Sequence, residues 1–180
     1  MSDNVATNAL YERLGGAGPL HRYLDAIGLP HTRMPVPVDF AAIGAGGPGH
    51  AIGETTPREQ TRLLAALHRH ELLTPALCDL LVGCMARPHF RDQLPRWLGD
   101  NVYAQFHGRD TDPWVANKTG ELDGLRADVG LVRRHGHGTI AVAVSTEGGG
   151  DLRETVDVAG SLAVAECSAA LAAELLGLPV

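Results

Sequence analysis

The chain has 180 residues, of which 44% are apolar and 20% charged, a balance that suits one globular domain with a core of its own. A formal net charge of −6 and the lack of any basic run argue against a nucleic-acid partner. No apolar run approaches the ~18 residues of a membrane span, and nothing resembles a secretory signal, so no membrane span is expected and the compartment stays open.

Asp3 or Asn4 can cap a first helix that runs to Gly15-Gly16, with Ala6, Leu10 and Leu14 at helical spacing. A second helix starts near Pro19 and ends at Gly28. Residues 29–55 are rich in Pro, Gly and small side chains and read as one long loop, the kind that is often functional. Thr56-Pro57-Arg58-Glu59 is a capping box with proline at the first helical position, and it opens a helix to about Glu71. Thr74-Pro75 opens the next, with Leu77, Leu80, Leu81 and Cys84 on one side. A short helix is expected from about His89 to Leu98. Three cysteines, Cys78, Cys84 and Cys167, give no disulfide framework; Cys78 and Cys84 share one helix and read as small buried hydrophobes.

After Asp112-Pro113 the pattern changes to strands: Trp114 to Thr119, Leu125 to Arg134, and Thr139 to Thr146. His135-Gly136-His137-Gly138 is a tight turn, so the last two strands form an antiparallel hairpin. Asp151 to Leu176 reads as one long helix rich in Ala and Leu, its pattern interrupted at Gly160. Helices, then three antiparallel strands, then a closing helix make an α+β fold. His135 and His137 lack a third ligand nearby, and His68 and His70 are two apart on a helix, so neither pair predicts a metal. No cofactor is expected.

Two triplets carry chemistry: Ser2-Asp3-Asn4 and Lys118-Thr119-Gly120, the latter holding the only lysine in the chain. Alone, the first serves most often as a helix cap and the second as a solvated turn. In this order, with the second on a strand before a hairpin and a terminal helix, they form two parts of a signature that includes S-x-x-K. With the flanking segments S-D-N-V-A-T-N-A-L-Y-E-R-L-G-G, E-T-T-P-R-E-Q-T-R-L-L and N-K-T-G-E-L-D-G-L-R-A-D-V-G-L-V, the chain resembles the class A β-lactamase-like serine hydrolases, penicillin-recognising acyl-transfer enzymes. The likeness covers nearly all 180 residues but only the later part of the family's catalytic domain.

The resemblance implies an α/β sandwich of the β-lactamase and transpeptidase type and a small-molecule or peptide substrate bearing a carboxylate. Lys118 would attract that carboxylate, Thr119 would donate its hydroxyl to it, and Gly120 would let the substrate backbone lie along the strand. The backbone N–H of Glu121 would serve as an oxyanion-hole donor. Ser2 would relay a proton to the leaving nitrogen, and Asn4 would bind the substrate amide. Arg126 would add positive charge, although Arg126 and Asp128 also read as a plain surface pair.

The chain departs from the family pattern in two places. None of Ser2, Ser145, Ser161 and Ser168 is followed three residues later by lysine, so the nucleophile motif is absent from residues 1–180. The expectation is a single domain that lacks the N-terminal part carrying S-x-x-K, inactive alone, with apolar surface left open for a homodimer. Loop 29–55 has only Asp39 and Glu54 as acids, neither followed by Asn three residues on, so the family's deacylating base is missing as well. The alternative is a non-catalytic module that binds a carboxylate ligand such as a cell-wall peptide or β-lactam. Members of this family usually act outside the cytoplasm.

Overall fold

A computed structural model of the chain describes residues 3–39, 41, 53–87, 90–153 and 155–179. The chain forms two compact units, Met1–Glu59 and Gln60–Val180.

In the first unit, helix α1 spans Asn4–Arg13. Asp3 is extended and caps it: its Oδ1 accepts the Ala6 N–H at 2.9 Å, satisfying one of the free donors of the first turn. The leucines at helical spacing do not mark the buried face. Leu10 and Leu14 are exposed, and Tyr11 is the buried residue of α1. The reason lies in the segment that α1 packs on. Tyr11 Oη donates to Pro35 O at 3.0 Å, and the Asn8 carboxamide meets both backbone groups of Val38, at 2.9 and 2.7 Å. Helix α2, Ala17–Ala26, starts two residues before Pro19, with Gly16 as its N-cap at φ 79°. Beyond it Arg33 and Glu54 exchange two backbone hydrogen bonds of 2.8 Å, which closes the long loop at its base. Gly53 makes this approach possible, because a Cβ there would stand 2.7 Å from Arg33 O.

Helix α3, Pro57–His68, begins inside the first unit and stops three residues short of the expected Glu71. The Glu59 N–H donates to Thr56 Oγ1 at 3.2 Å, the first half of the capping box. The Glu59 carboxylate accepts from the His31 backbone N–H and from Thr32 Oγ1, the latter at 2.6 Å, and its Oε1 lies 2.9 Å from His31 Nδ1. It therefore ties the loop after α2 to the start of α3. Burial alone would raise its pKa, but these hydrogen bonds outweigh it and bring the group down to about 2.

In the second unit, helix α4 spans Pro75–Met85. Its expected inward face is solvent-facing here: Leu77, Leu80, Leu81 and Cys84 are exposed, and Cys78 is the buried residue. Cys167 is exposed too, so only one of the three cysteines is a core hydrophobe. His89 lies outside the described residues, and 90–98 forms bends and turns instead of a helix. Pro95, at its centre, has no N–H to offer a helix. Leu94 and Leu98 from this segment enter the core. A five-residue helix that the sequence reading missed, α5 at Val102–Phe106, follows, capped by Asn101.

Three strands then form one antiparallel sheet in the order β1-β2-β3: β1 Trp114–Leu122, β2 Leu125–Arg134 and β3 Gly138–Thr146. Directly opposed residues share a face. One face carries the rows Val115-Val132-Ile140, Asn117-Gly130-Val142 and Thr119-Asp128-Val144. It is covered by helix α6, Ala159–Leu176, whose Ala169, Ala172 and Leu176 join Val115, Val132 and Val142 in the core. The other face carries Ala116-Leu131-Ala141, Lys118-Val129-Ala143 and Gly120-Ala127-Ser145.

Helix α6 starts at Ala159, eight residues later than expected. Asp151 is the physical reason. Its carboxylate takes Arg153 as a partner and accepts the Ala159 N–H at 3.1 Å, so it caps the helix from a distance. The Arg153 hydrogen bonds first, then Ala159, hold that carboxyl well below the usual range. Gly160 lies in the first turn, where a Cβ would come within 2.9 Å of Arg126 Cγ, so the helix sits flush on β2. At 18 residues α6 is long and apolar enough to cross a membrane by length and composition, contrary to the sequence expectation. Ser161, Val164, Ala165, Ser168, Ala169, Ala172 and Leu176 are buried along it, which makes it the central helix of this unit.

Candidate functional site

Strand β1 is an edge strand, and residues 114–122 pair only with β2 among the described residues. Alternate residues of an edge strand point their N–H and C=O groups away from the sheet. Lys118 is exposed on this strand, and its ammonium donates to Thr119 O. Partial desolvation lowers its pKa, and the carboxyl of Asp128 pulls in the opposite direction. Thr119 is half-buried opposite Asp128, and Gly120 lies opposite Ala127.

Glu121 and Arg126 face each other across the hairpin, with Arg126 Nε 3.6 Å from Glu121 Oε1. The same guanidinium donates to Leu122 O at 2.7 Å and Leu125 O at 2.8 Å, so it holds the carbonyls around the Asp123-Gly124 turn. Arg126 and Asp128 are not a surface pair. Asp128 is fully buried, and the Arg126 side chain is only 13% exposed. Strand alternation puts both on the face that α6 covers.

Beneath the Lys118 segment lies a polar group that sequence reading missed. Asp128 Oδ2 accepts from Asn117 Nδ2 at 2.8 Å and from the Leu94 N–H at 3.0 Å. Asp128 Oδ1, Asn117 Oδ1 and Gln93 Oε1 are buried without partners. Burial dominates the ionisation of Asp128 and pushes its pKa up to about 7, against the hydrogen bonds from Asn117, Leu94 and Val129 and the charge of Lys118. A protonated carboxyl supplies a donor in a cluster where only acceptors are otherwise unpaired. The one available signal was polar Asn117 and Asp128 recurring on an apolar strand face.

The N-terminal candidates belong to the other unit. Ser2 lies outside the described residues. Asn4 is exposed at the first position of α1, beside the cap residue Asp3.

The profile of the β-lactamase enzyme family matches residues 1–171. Among curated proteins, the chain is 30% identical over 153 residues to "Beta-lactamase 1" of Streptomyces cacaoi, covering 82% of this chain and 43% of that protein. It is 29% identical over 151 residues to the "Beta-lactamase" of Streptomyces fradiae, covering 81% and 44%. The chain thus spans under half the length of these relatives. Of solved structures, a β-lactamase from Sphaerobacter thermophilus superposes with a TM-score of 0.76 at 20% identity, covering 99% of this chain and 60% of that one. PBP-A superposes at 0.74 with 26% identity, covering 99% and 58%; a mutant of PBP-A has been solved as an acyl-enzyme complex with penicillin G. The helices, the antiparallel sheet and the closing helix agree with these neighbours in fold, and a sequence match that runs through both units and the Lys118 strand means that the chain belongs to the β-lactamase enzyme family.

Proposed function

We propose that this chain supplies the carboxylate-recognising strand of a β-lactamase-like acyl-transfer site, and that residues 1–180 alone bind such a ligand without turning it over. The observation that carries this reading is Lys118: an exposed residue on an edge strand, partly desolvated, with no side-chain carboxylate bonded to it among the described residues. A carboxylate that docks there replaces a backbone carbonyl with a full charge, and reduced solvation strengthens the attraction. Thr119 brings its hydroxyl to the same ligand. The free edge offers backbone groups to an extended substrate, with the Glu121 N–H as the oxyanion donor. By the family resemblance, Ser2 would be the proton relay and Asn4 the substrate amide contact wherever the acyl transfer itself takes place. Arg126 acts through the hairpin, whose carbonyls it holds, and so fixes where Glu121 lies.

The substrate class is a β-lactam, or a peptide or ester with a terminal carboxylate. The residue pattern supports binding rather than covalent chemistry, since no Ser-x-x-Lys occurs in residues 1–180 and the single lysine is on β1. The test uses the full chain and benzylpenicillin. Calorimetry is expected to give reversible binding that Lys118→Ala weakens about tenfold, the usual worth of a charge-assisted hydrogen bond. Mass spectrometry of the same mixture is expected to find no adduct. A penicilloyl adduct would refute the binding-only reading, and equal affinity of the variant would refute the role of Lys118.

A further inference from the structure

A second cationic site lies at the other end of β1. Trp114 and Lys118 are four residues apart on an extended strand, about 13 Å at the usual rise. At the Trp114 end a cavity of about 310 Å³ opens between the C-terminal end of α4, the segment after α5, and β1–β2. Arg87, Arg109 and Arg133 line it, with Trp114 and one carboxylate, Asp110. In a chain of net charge −6, three guanidinium groups against one acid is a local reversal of sign.

The acid is already engaged. Asp110 Oδ1 accepts from Arg133 NH2 at 2.5 Å, and its Oδ2 lies 3.0 Å from His135 Nε2. Arg133 also stacks over the Trp114 ring, 5.3 Å from its centroid, and its Nε is buried without a partner. The Arg87 and Arg109 guanidinium groups have no hydrogen-bond or ion-pair partner among the described residues, although both line the cavity. Beside them Gln105 is spent on structure: it is buried, and its side chain bonds Ala86 O and both backbone groups of Val115. Gln105 thus pins the end of α4 and the start of β1 to α5, which gives the cavity a fixed wall.

We infer that this cavity binds a small phosphate-bearing anion, held by Arg87 and Arg109 in the cleft that Arg133 and Trp114 also line. Two guanidinium forks unpaired among the described residues, in an open cleft, suit the tetrahedral oxygens of a phosphate group, and the surplus of two positive charges suits its dianion. The volume admits a phosphomonoester of a few carbons rather than a large cofactor. This site is independent of the reading of Lys118.

Trp114 is its own reporter. The chain has two tryptophans, so Trp97→Phe leaves Trp114 as the only indole. Inorganic phosphate, titrated into this otherwise full-length protein, is expected to change the Trp114 fluorescence with saturation in the millimolar range. Sodium chloride at equal ionic strength is expected to give no saturable change. Arg87→Ala and Arg109→Ala should each weaken the phosphate response at least about fivefold, since each removes one charge-assisted contact. Both side chains are exposed and unpartnered among the described residues, so the variants keep the fold, which circular dichroism checks. Lys118→Ala should leave the response unchanged. A phosphate response that does not saturate, that chloride reproduces, or that survives both arginine substitutions overturns the proposal.

Discussion

The two ends of β1 are both cationic, but the charges are held in different ways. At the Trp114 end, guanidinium groups line a cavity, and the nearby acid, Asp110, is a surface residue with partners of its own. At the other end, a single ammonium stands on the sheet face opposite α6, and a buried carboxyl, Asp128, lies one strand away on the face that α6 covers. An arginine keeps its charge at any pH a protein survives. A lysine next to a buried acid does not have a fixed electrostatic setting, because the acid changes charge near neutrality. The contrast teaches that the guanidinium groups keep their charge, whereas the ammonium has a buried neighbour whose charge changes near neutrality.

The largest expected effect breaks that contrast at its source. Asp128 rises from the ordinary value of 3.8 to about 7 on folding. A group whose pKa is raised in the folded state stabilises most when protonated, so its contribution is complete below pH ~4 and is lost as the pH rises through ~7. The linkage is worth up to about 4 kcal/mol over that window. Asp128→Asn removes the ionisation and keeps the shape. Urea unfolding between pH 4 and pH 8 should fall steeply for the parent protein and stay nearly flat for the variant. Parallel curves would mean that Asp128 is ionised in the folded protein across the range.

Next in size is the room that this buried cluster needs. Gly130 sits opposite Asn117 on the covered face, and an added Cβ would meet Ala116 O at 2.7 Å, Asn117 Cβ at 3.1 Å and Leu94 Cδ1 at 3.2 Å. The nearest of these is backbone and cannot swing aside. Gly130→Ala is expected to cost about 3 kcal/mol by chemical denaturation, the upper end of overpacking. A loss below about 1 kcal/mol would show that β1 and β2 can separate there, and with them the register that sets Thr119 against Asp128.

How far the sequence revealed this arrangement depends on how local each signal is. Strand β2 has the bounds that the residues imply, because alternation and the Gly136 and Gly138 turn are written within a few positions. Strand β1 runs on to Leu122, past the expected Thr119, because the two-residue Asp123-Gly124 turn lets pairing continue to the hairpin's end. Helix faces were less legible. Leu10 of α1 and Leu80 of α4 keep helical spacing yet face outward, since a helix buries whichever side its neighbours cover. The Lys-Thr-Gly triplet could be found by its letters. That Asp128 would be buried could not, because it follows from α6 and Leu94 closing over one face of the sheet. The arginine cavity was equally hidden, as Arg87 follows α4, Arg109 follows α5 and Arg133 is on β2.

The smallest expected effect on stability separates Gly120 from Gly130. Gly120 lies on the same face as Lys118, its φ is not left-handed, and an added Cβ would meet only ordinary contact, Ala127 Cβ at 3.8 Å. Nothing within the second unit requires a glycine there. Gly120→Ala should therefore change stability by less than about 1 kcal/mol, and in the favourable direction, because alanine has less backbone freedom to lose on folding. If the strand receives an extended carboxylate ligand along its edge, the same methyl group projects beside Lys118 and lowers affinity for benzylpenicillin in calorimetry. Unchanged stability with weakened binding identifies Gly120 as a ligand-side residue. A stability loss above about 1 kcal/mol would place its role in the fold, and unchanged binding would remove Gly120 from the site and leave recognition to the charge on Lys118.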